Sequence, residues 1–380
     1  MRVAYVINSV EGGGAAAPVP AVARVLAAQG AQVRILALAM RDGRGLAAMA
    51  RAGLSVNVRA GGDRDHAAAL RWLDRQIAYD APDLIWTSLT RATLLGQLVG
   101  ARRGLPVVSW QHAAYLKPAN RILLRATQRL SALWVGDSES VTALTASRLG
   151  VGPDRLATWP LFAADPAAPH ARRWRRGEIL RLGSLGRLHP VKGYDVLVAA
   201  LVHLRAQGFR APTPFEVAIA GEGAGREALQ AAAASAGVDS LRLVGFVDSP
   251  RAWLSGLHAY LQPSRSEGLC IAAHEAMQAG LPAIVSAVGE LPYSVVPGQT
   301  GWVVPPADPP ALAAALRDML SSPDRLAGMG SAARERLFVR FGAEAFEAAG
   351  AGVLARVSAV GPSALAPDRW RGHRASGRHA

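Results

Sequence analysis

Cysteine is almost absent from this chain, and lysine nearly so. The single cysteine, Cys270, excludes an intrachain disulfide and a zinc site built on paired thiolates, and it suits a reducing compartment. Of 42 basic side chains only two are lysines, Lys117 and Lys192. No apolar run reaches the roughly 20 residues of a membrane span. The opening residues 1–7 are too short for a secretory leader and read as a first strand. A dinucleotide fingerprint is also missing. Gly12-Gly13-Gly14 has the wrong spacing and no acidic residue closes the second strand, which excludes NAD.

What is present describes a globular chain. Its 380 residues suffice for two domains with separate cores, and its hydrophobic fraction of 51% is rich in alanine. The net charge of +14 is unevenly spread. Residues 1–150 carry 18 basic against 9 acidic side chains, whereas residues 181–340 carry 14 against 13. Arginine in place of lysine throughout reads as a compositional bias, so the charge alone is poor support for nucleic-acid binding.

Short apolar strands alternate with helices: residues 3–7, 33–38, 56–58, 84–87, 106–110 and 133–135 read as strands, with helices such as 64–79 and 94–101 between them. That pattern predicts a parallel sheet covered on both faces, with ligands at the carboxyl ends of its strands. Gly13 and Gly14 sit in such a loop, where a tight turn and a ligand contact explain them equally. His112 lies just past a strand end. An isolated histidine is more often structural, and its position leaves both readings open. Lys117, Arg121, Arg125 and Arg129 recur every four residues as a basic stripe. It reads first as a solvated face over an ordinary core and second as a surface for an anionic membrane. The Pro- and Arg-rich residues 163–178 break the pattern and read as a linker.

The second half repeats the alternation. Arg187 and Lys192 flank a proline-bent loop before a helix, a suitable cradle for two phosphates. Pro263-Ser264-Arg265-Ser266-Glu267-Gly268-Leu269-Cys270 leads into a helix carrying Glu275. Each glutamate alone has a bland explanation, since helix dipoles favour acidic residues in a first turn.

Taken in order, Gly186-Arg187…Lys192-Gly193, Gly221-Glu222-Gly223, Gly245-Phe246, Glu267-Gly268, Glu275-Ala276-Met277…Gly280-Leu281-Pro282 and Gly298…Gly301 resemble the C-terminal domain of retaining family 4 glycosyltransferases of the GT-B fold. The resemblance is strong over 180–345 and looser before it. It implies an α/β protein of two Rossmann-like domains with parallel sheets facing a cleft, and a last helix crossing back to the first domain. Implied boundaries are 1–165 for an acceptor domain, 166–340 for a nucleotide-sugar domain, 341–362 for the returning helix and 363–380 for a disordered basic tail.

Residue by residue, the resemblance implies that Arg187 and Lys192 bind the diphosphate and that Glu275 binds the ribose. Glu267 and the backbone of Gly268, Leu269 and Cys270 would hold the transferred sugar, with His112 approaching it from the other domain. Gly13, Gly14, Gly186, Gly221 and Glu222 would complete the donor contacts. The two cations would stabilise the departing diphosphate with no metal and no cofactor. Same-face attack, with the departing phosphate taking the acceptor's proton, follows from the resemblance alone. Glu290 and Tyr293 depart from the usual loop, Cys270 stands where glycine is frequent and His258 where aspartate is common. The basic first domain favours a lipid-linked or cell-surface saccharide acceptor at the inner face of the plasma membrane, in polysaccharide assembly. A soluble acceptor or glucan is the alternative. A nucleic-acid partner is disfavoured, because only Tyr115 interleaves with the basic stripe.

Overall fold

The structure is a computed structural model, and it describes residues 1–12, 16–112 and 116–359. The chain divides into two units, residues 1–161 with 344 onward, and residues 162–343.

The first unit holds seven parallel strands: β1 (Arg2–Ile7), β2 (Gln32–Ala37), β3 (Ser55–Val58), β4 (Leu84–Ser88), β5 (Val107–Gln111), β6 (Leu133–Gly136) and β7 (Leu156–Thr158). They lie in the order β3-β2-β1-β4-β5-β6-β7. Every residue of β4, β5 and β6 is buried, as expected of strands covered by helices on both faces. Four tryptophans, Trp86, Trp110, Trp134 and Trp159, are fully buried in this unit. Trp110 and Trp159 stack at 4.9 Å, and Phe346 of the helix Ala343–Ala359 lies 5.4 Å from Trp159. Arg356 on the same helix donates to the Asp154 carbonyl at 2.6 Å, which ties this late segment to the first unit.

The second unit has six parallel strands: β8 (Leu180–Leu185), β9 (Phe215–Ala220), β10 (Leu241–Gly245), β11 (Ala259–Gln262), β12 (Ala283–Ser286) and β13 (Gly301–Val304). Their order is β10-β9-β8-β11-β12-β13, the doubly wound arrangement in which strand order reverses between the first and fourth strands. Leu182, Ile219, Leu261 and Ile284 from four of these strands meet in one core under the helices Tyr194–Ala206 and Pro309–Ser321.

Several local features differ from the sequence expectations. Strand β7 and the short helix Leu46–Arg51 were not anticipated. The helices Leu326–Phe341 and Ala343–Ala359 are separated at Gly342, where the backbone turns extended. Residues 163–178 are no loose linker. Ala164 and Ala168 are buried, and Asp165 accepts from Arg251 at 2.6 Å while its N–H donates to Gln278 at 2.7 Å. Polar anchoring of this kind leaves no periodic signal in the sequence, and the segment follows directly on the boundary between the units. The expected tail 363–380 lies outside the described residues.

Candidate active site

In the second sheet the connections from β8 and from β11 depart in opposite directions, leaving an opening at their carboxyl ends where such folds bind ligands. Gly186 and Arg187 follow β8 directly, and Pro263 to Cys270 follow β11. Lys192 reaches the same place on the short turn Pro190–Lys192, closed by Gly193 in the left-handed region at φ +66°. A Cβ at Gly193 would stand 2.0 Å from the Pro263 carbonyl oxygen, so the two loops meet only because this residue has no side chain. Gly221 is similar: φ is +142° and a Cβ would lie 2.0 Å from the Gly186 carbonyl oxygen.

The structure joins Lys192 and Glu267 directly. Lys192 Nζ donates to Glu267 Oε1 at 2.7 Å, with side chains 18% and 9% exposed. The same oxygen accepts from Ser264 Oγ at 2.6 Å and Gln262 Nε2 at 3.1 Å. Gln262 in turn accepts from the Tyr260 hydroxyl at 2.8 Å, and that hydroxyl accepts from the Leu185 N–H at 3.2 Å. One hydrogen-bonded chain thus runs from the end of β8 through β11 to the loop, and it fixes the carboxylate before any ligand arrives. Burial opposes the charge on Lys192, but the Glu267 carboxylate bonded to it more than offsets this, and the ammonium titrates above its ordinary value. Burial pushes the Cys270 thiol well up, so it stays protonated and Glu267 is the charged neighbour.

Around this pair several groups are left free. The Arg187 side chain is exposed and makes no hydrogen bond or ion pair among the described residues. None of the N–H groups of Gly268, Leu269 and Cys270 donates to a protein acceptor among the described residues, and they precede the helix Ile271–Gln278. Such donors at a helix start suit an oxygen-rich ligand. The Leu269 side chain is buried at 2% exposure, so only its backbone can serve. Cys270 adopts φ +63°, which explains why glycine suits this position.

Glu275 falls in the second turn of its helix, beyond the first turn where the dipole acts, so the dipole explanation does not hold for it. Burial raises its carboxyl above the usual range, partly offset by Arg251, whose Nε is 4.0 Å away. Its carboxylate accepts no hydrogen bond among the described residues. Glu222 is exposed, and its carbonyl accepts from the Leu188 N–H at 2.9 Å. Glu290, a departure from the resembled pattern, is held by Arg340 at 2.6 Å, and its N–H donates to the Gly268 carbonyl at 3.0 Å, bracing the Glu267 loop from behind. Tyr293 is 59% exposed. Sequence reasoning missed Tyr260, Gln262 and Ser264. The one available signal was that polar Gln262 ends an apolar strand.

In the first unit, His112 follows β5. Its Nε2 lies 2.5 Å from Ser88 Oγ at the end of the neighbouring β4, and its Nδ1 is 3.9 Å from Asp137 Oδ2 with no hydrogen bond among the described residues. Burial lowers its pKa to about 3, so the ring is neutral at physiological pH. Gly13 and Gly14 lie outside the described residues. The expectation of metal-free chemistry overlooked an Asp-x-Asp spacing, Asp63-Arg64-Asp65. Both carboxylates are engaged by arginine: Asp63 by Arg41 at 3.1 Å, and Asp65 by Arg59 and by Arg91 at 3.0 Å. No group of three or more potential metal ligands occurs among the described residues.

Lys117, Arg121, Arg125 and Arg129 are all exposed around the helix Pro118–Thr127. The ordinary core expected beneath them is thin. Leu124 is the one buried residue of that helix, while Ile122 and Leu123 are 65% and 49% exposed.

Comparisons with known proteins agree with this layout. Residues 12–163 match the family model Glycosyltransferase Family 4, and residues 175–336 match Glycosyl transferases group 1. A GDP-mannose-dependent alpha-(1-6)-phosphatidylinositol monomannoside mannosyltransferase of Mycolicibacterium smegmatis is 35% identical over 196 residues, 49% of each chain. D-inositol 3-phosphate glycosyltransferase 2 of Catenulispora acidiphila is 29% identical over 304 residues, 72% of this chain and 70% of its own. The match to the mycobacterial relative thus spans about half of that protein's length. The Anabaena protein HepE, solved with UDP and glucose, superposes with a TM-score of 0.80 at 18% identity, over 93% of this chain and 99% of its own. With two Rossmann-like units of seven and six parallel strands and both family models matched in order, this chain belongs to the family 4 glycosyltransferases of the GT-B fold.

Proposed function

We propose that this protein transfers a hexose-type sugar from a UDP- or GDP-sugar to a saccharide acceptor, with retention of anomeric configuration and without a metal. The observation that carries the reading is the Lys192–Glu267 pair at the strand-order reversal, with Arg187 unpartnered beside it. Breaking the anomeric C–O bond leaves negative charge on a phosphate oxygen, and two cations, Lys192 held by Glu267 and Arg187 free to close on the phosphate, stabilise charge at that point. Arg187 offers a planar fork and Lys192 a point charge. Glu275, free of hydrogen-bond donors, accepts from ribose hydroxyls. Glu267 and the N–H groups of Gly268 to Cys270 hold the sugar. His112 supplies a neutral imidazole for a sugar hydroxyl. The acceptor oxygen attacks the face the diphosphate leaves, and its proton passes to the departing phosphate. Donor chemistry of this class is named for the Mycolicibacterium relative, and UDP and glucose were bound to HepE.

A thermal-shift panel of UDP, GDP, ADP and their sugars in EDTA tests the donor half, because a ligand of the folded state raises its melting temperature. One nucleotide should shift the wild type and not Lys192→Ala, and the product anomer by NMR should match the donor's. A panel with no shift and no transfer would refute the reading.

The acceptor is lipid-linked in this proposal, supported by Ile122 and Leu123 standing exposed among Arg121, Arg125 and Lys117. Apolar side chains inside a basic stripe suit an anionic membrane surface. No helix among the described residues is long and apolar enough to cross a membrane, so such contact would be peripheral. Arg121→Glu with Arg125→Glu should release the protein from anionic vesicles. Undiminished co-sedimentation, or no binding by the wild type, would favour a soluble acceptor such as the one the Catenulispora relative is named for.

A further inference from the structure

A cavity of about 370 Å³ lies at the opposite edge of the second sheet, near the amino-terminal ends of β11 and β12. None of the donor-site residues lines it. Its floor includes His258, 3% exposed and just before β11. His258 Nδ1 accepts from the Arg181 N–H at 2.9 Å, so the proton of the neutral ring resides on Nε2. Burial, with Arg181 and Arg172 adding to it, keeps that ring neutral, against a smaller opposing effect of Glu178. The Nε2–H finds no acceptor among the described residues. A buried donor without an acceptor is expensive, and although the atom is closed off in this structure, a small turn of the ring would offer it to an acceptor in the cavity.

The walls supply matching charge. Arg172 is loosely shared with Glu178 at 3.4 Å, and Arg334 donates to the Gln278 and Pro166 carbonyls. Arg173 is exposed and makes no hydrogen bond or ion pair among the described residues. The same space is bordered by Ser331 and Glu335, which suit hydroxyl groups, and by the half-buried Trp174, whose Nε1 is fixed on the Glu178 carbonyl at 2.9 Å.

We propose that this cavity is a second small-molecule site, separate from the donor site, which takes a phosphorylated polyol of about the size of a hexose phosphate. The phosphate accepts from His258 Nε2 and the Arg173 fork. The hydroxyls meet Glu335 and Ser331, and a C–H face of the body lies on Trp174. Charge-assisted bonds from a planar guanidinium are the usual means of holding such a group.

Isothermal titration of the full chain with glucose 6-phosphate and, separately, with inorganic phosphate tests it. Saturable binding of glucose 6-phosphate is expected in the wild type and in Lys192→Ala, with inorganic phosphate weaker. His258→Asn keeps an acceptor for the Arg181 N–H and removes the donor. Arg173→Gln changes only an exposed side chain and carries the test if the first variant folds poorly. Each should weaken binding about tenfold, the effect of one charge-assisted bond. Affinity unchanged in both variants, binding lost in Lys192→Ala that circular dichroism shows to be folded, or no saturation would overturn the site. Equal affinity for the two probes would overturn the polyol part.

Discussion

Replacing Lys192 with alanine should destabilise the second unit as well as weaken nucleotide binding. The substitution removes the ammonium 2.7 Å from Glu267 Oε1 and leaves a carboxylate that is only 9% exposed. Stripping one partner from a buried pair costs about 3–5 kcal/mol, and Ser264 and Gln262 still donate to that oxygen, so about 3 kcal/mol is expected. Glu267→Gln, which keeps an acceptor for Lys192, should cost about 2 kcal/mol. The double variant should cost no more than Lys192→Ala alone, giving a coupling of about 2 kcal/mol. Hydrogen exchange protection of β8 and β11 reads the stability of this unit specifically. The folded ammonium titrates above 10.5, so its contribution is complete below that value and lost only as pH rises through the higher folded one. The coupling should therefore be flat from pH 7 to about 9 and little affected by salt. A coupling under about 0.5 kcal/mol would mean that the two charges are solvated independently, and the site's rigid-pair description would fail.

His112 should make the protein acid-sensitive. Its folded pKa of about 3 lies below the ordinary histidine value of 6.5, so the unfolded state binds more protons between them and stability falls as pH drops below 6.5. Roughly 2 kcal/mol should be gone by pH 5. His274, lowered to about 4, adds a similar slope, so the wild type must be compared with His112→Asn, in which the His112 share should vanish. Cys270→Gly should change stability by less than about 1 kcal/mol, since relief of the left-handed backbone offsets the lost thiol packing; a loss above about 2 kcal/mol by urea denaturation would contradict this. Gly350→Ala would put a Cβ 2.4 Å from Trp159 and 2.7 Å from Val25, and should cost about 1–3 kcal/mol in urea denaturation with blunted tryptophan fluorescence changes.

Much of the candidate site was legible as ordered motifs. Arg187, Lys192 and Glu267 each sit beside a glycine that nearest-neighbour chemistry marks, Glu275 follows at a fixed spacing in the next helix, and alternating apolar runs declared two parallel sheets. Local signals of that sort depend on residues a few positions apart. What they could not declare was pairing. Lys192 meets Glu267 across 75 residues because β8 and β11 are neighbours in the sheet, and the Tyr260–Gln262–Ser264 chain exists only in that order. Asp63 and Asp65 look like a metal motif until Arg41, Arg59 and Arg91 arrive from other elements. Ile122 and Leu123 look like core residues, but their helix presents them outward. The helix Ala343–Ala359 returns to the first unit because Phe346 and Gly350 find Trp159 there. Composition and spacing by themselves determined the fold class and the kinds of side chain at the strand ends. Tertiary structure decided which charges face one another and which are desolvated, since burial and Coulomb energy depend on distance in space and not along the chain.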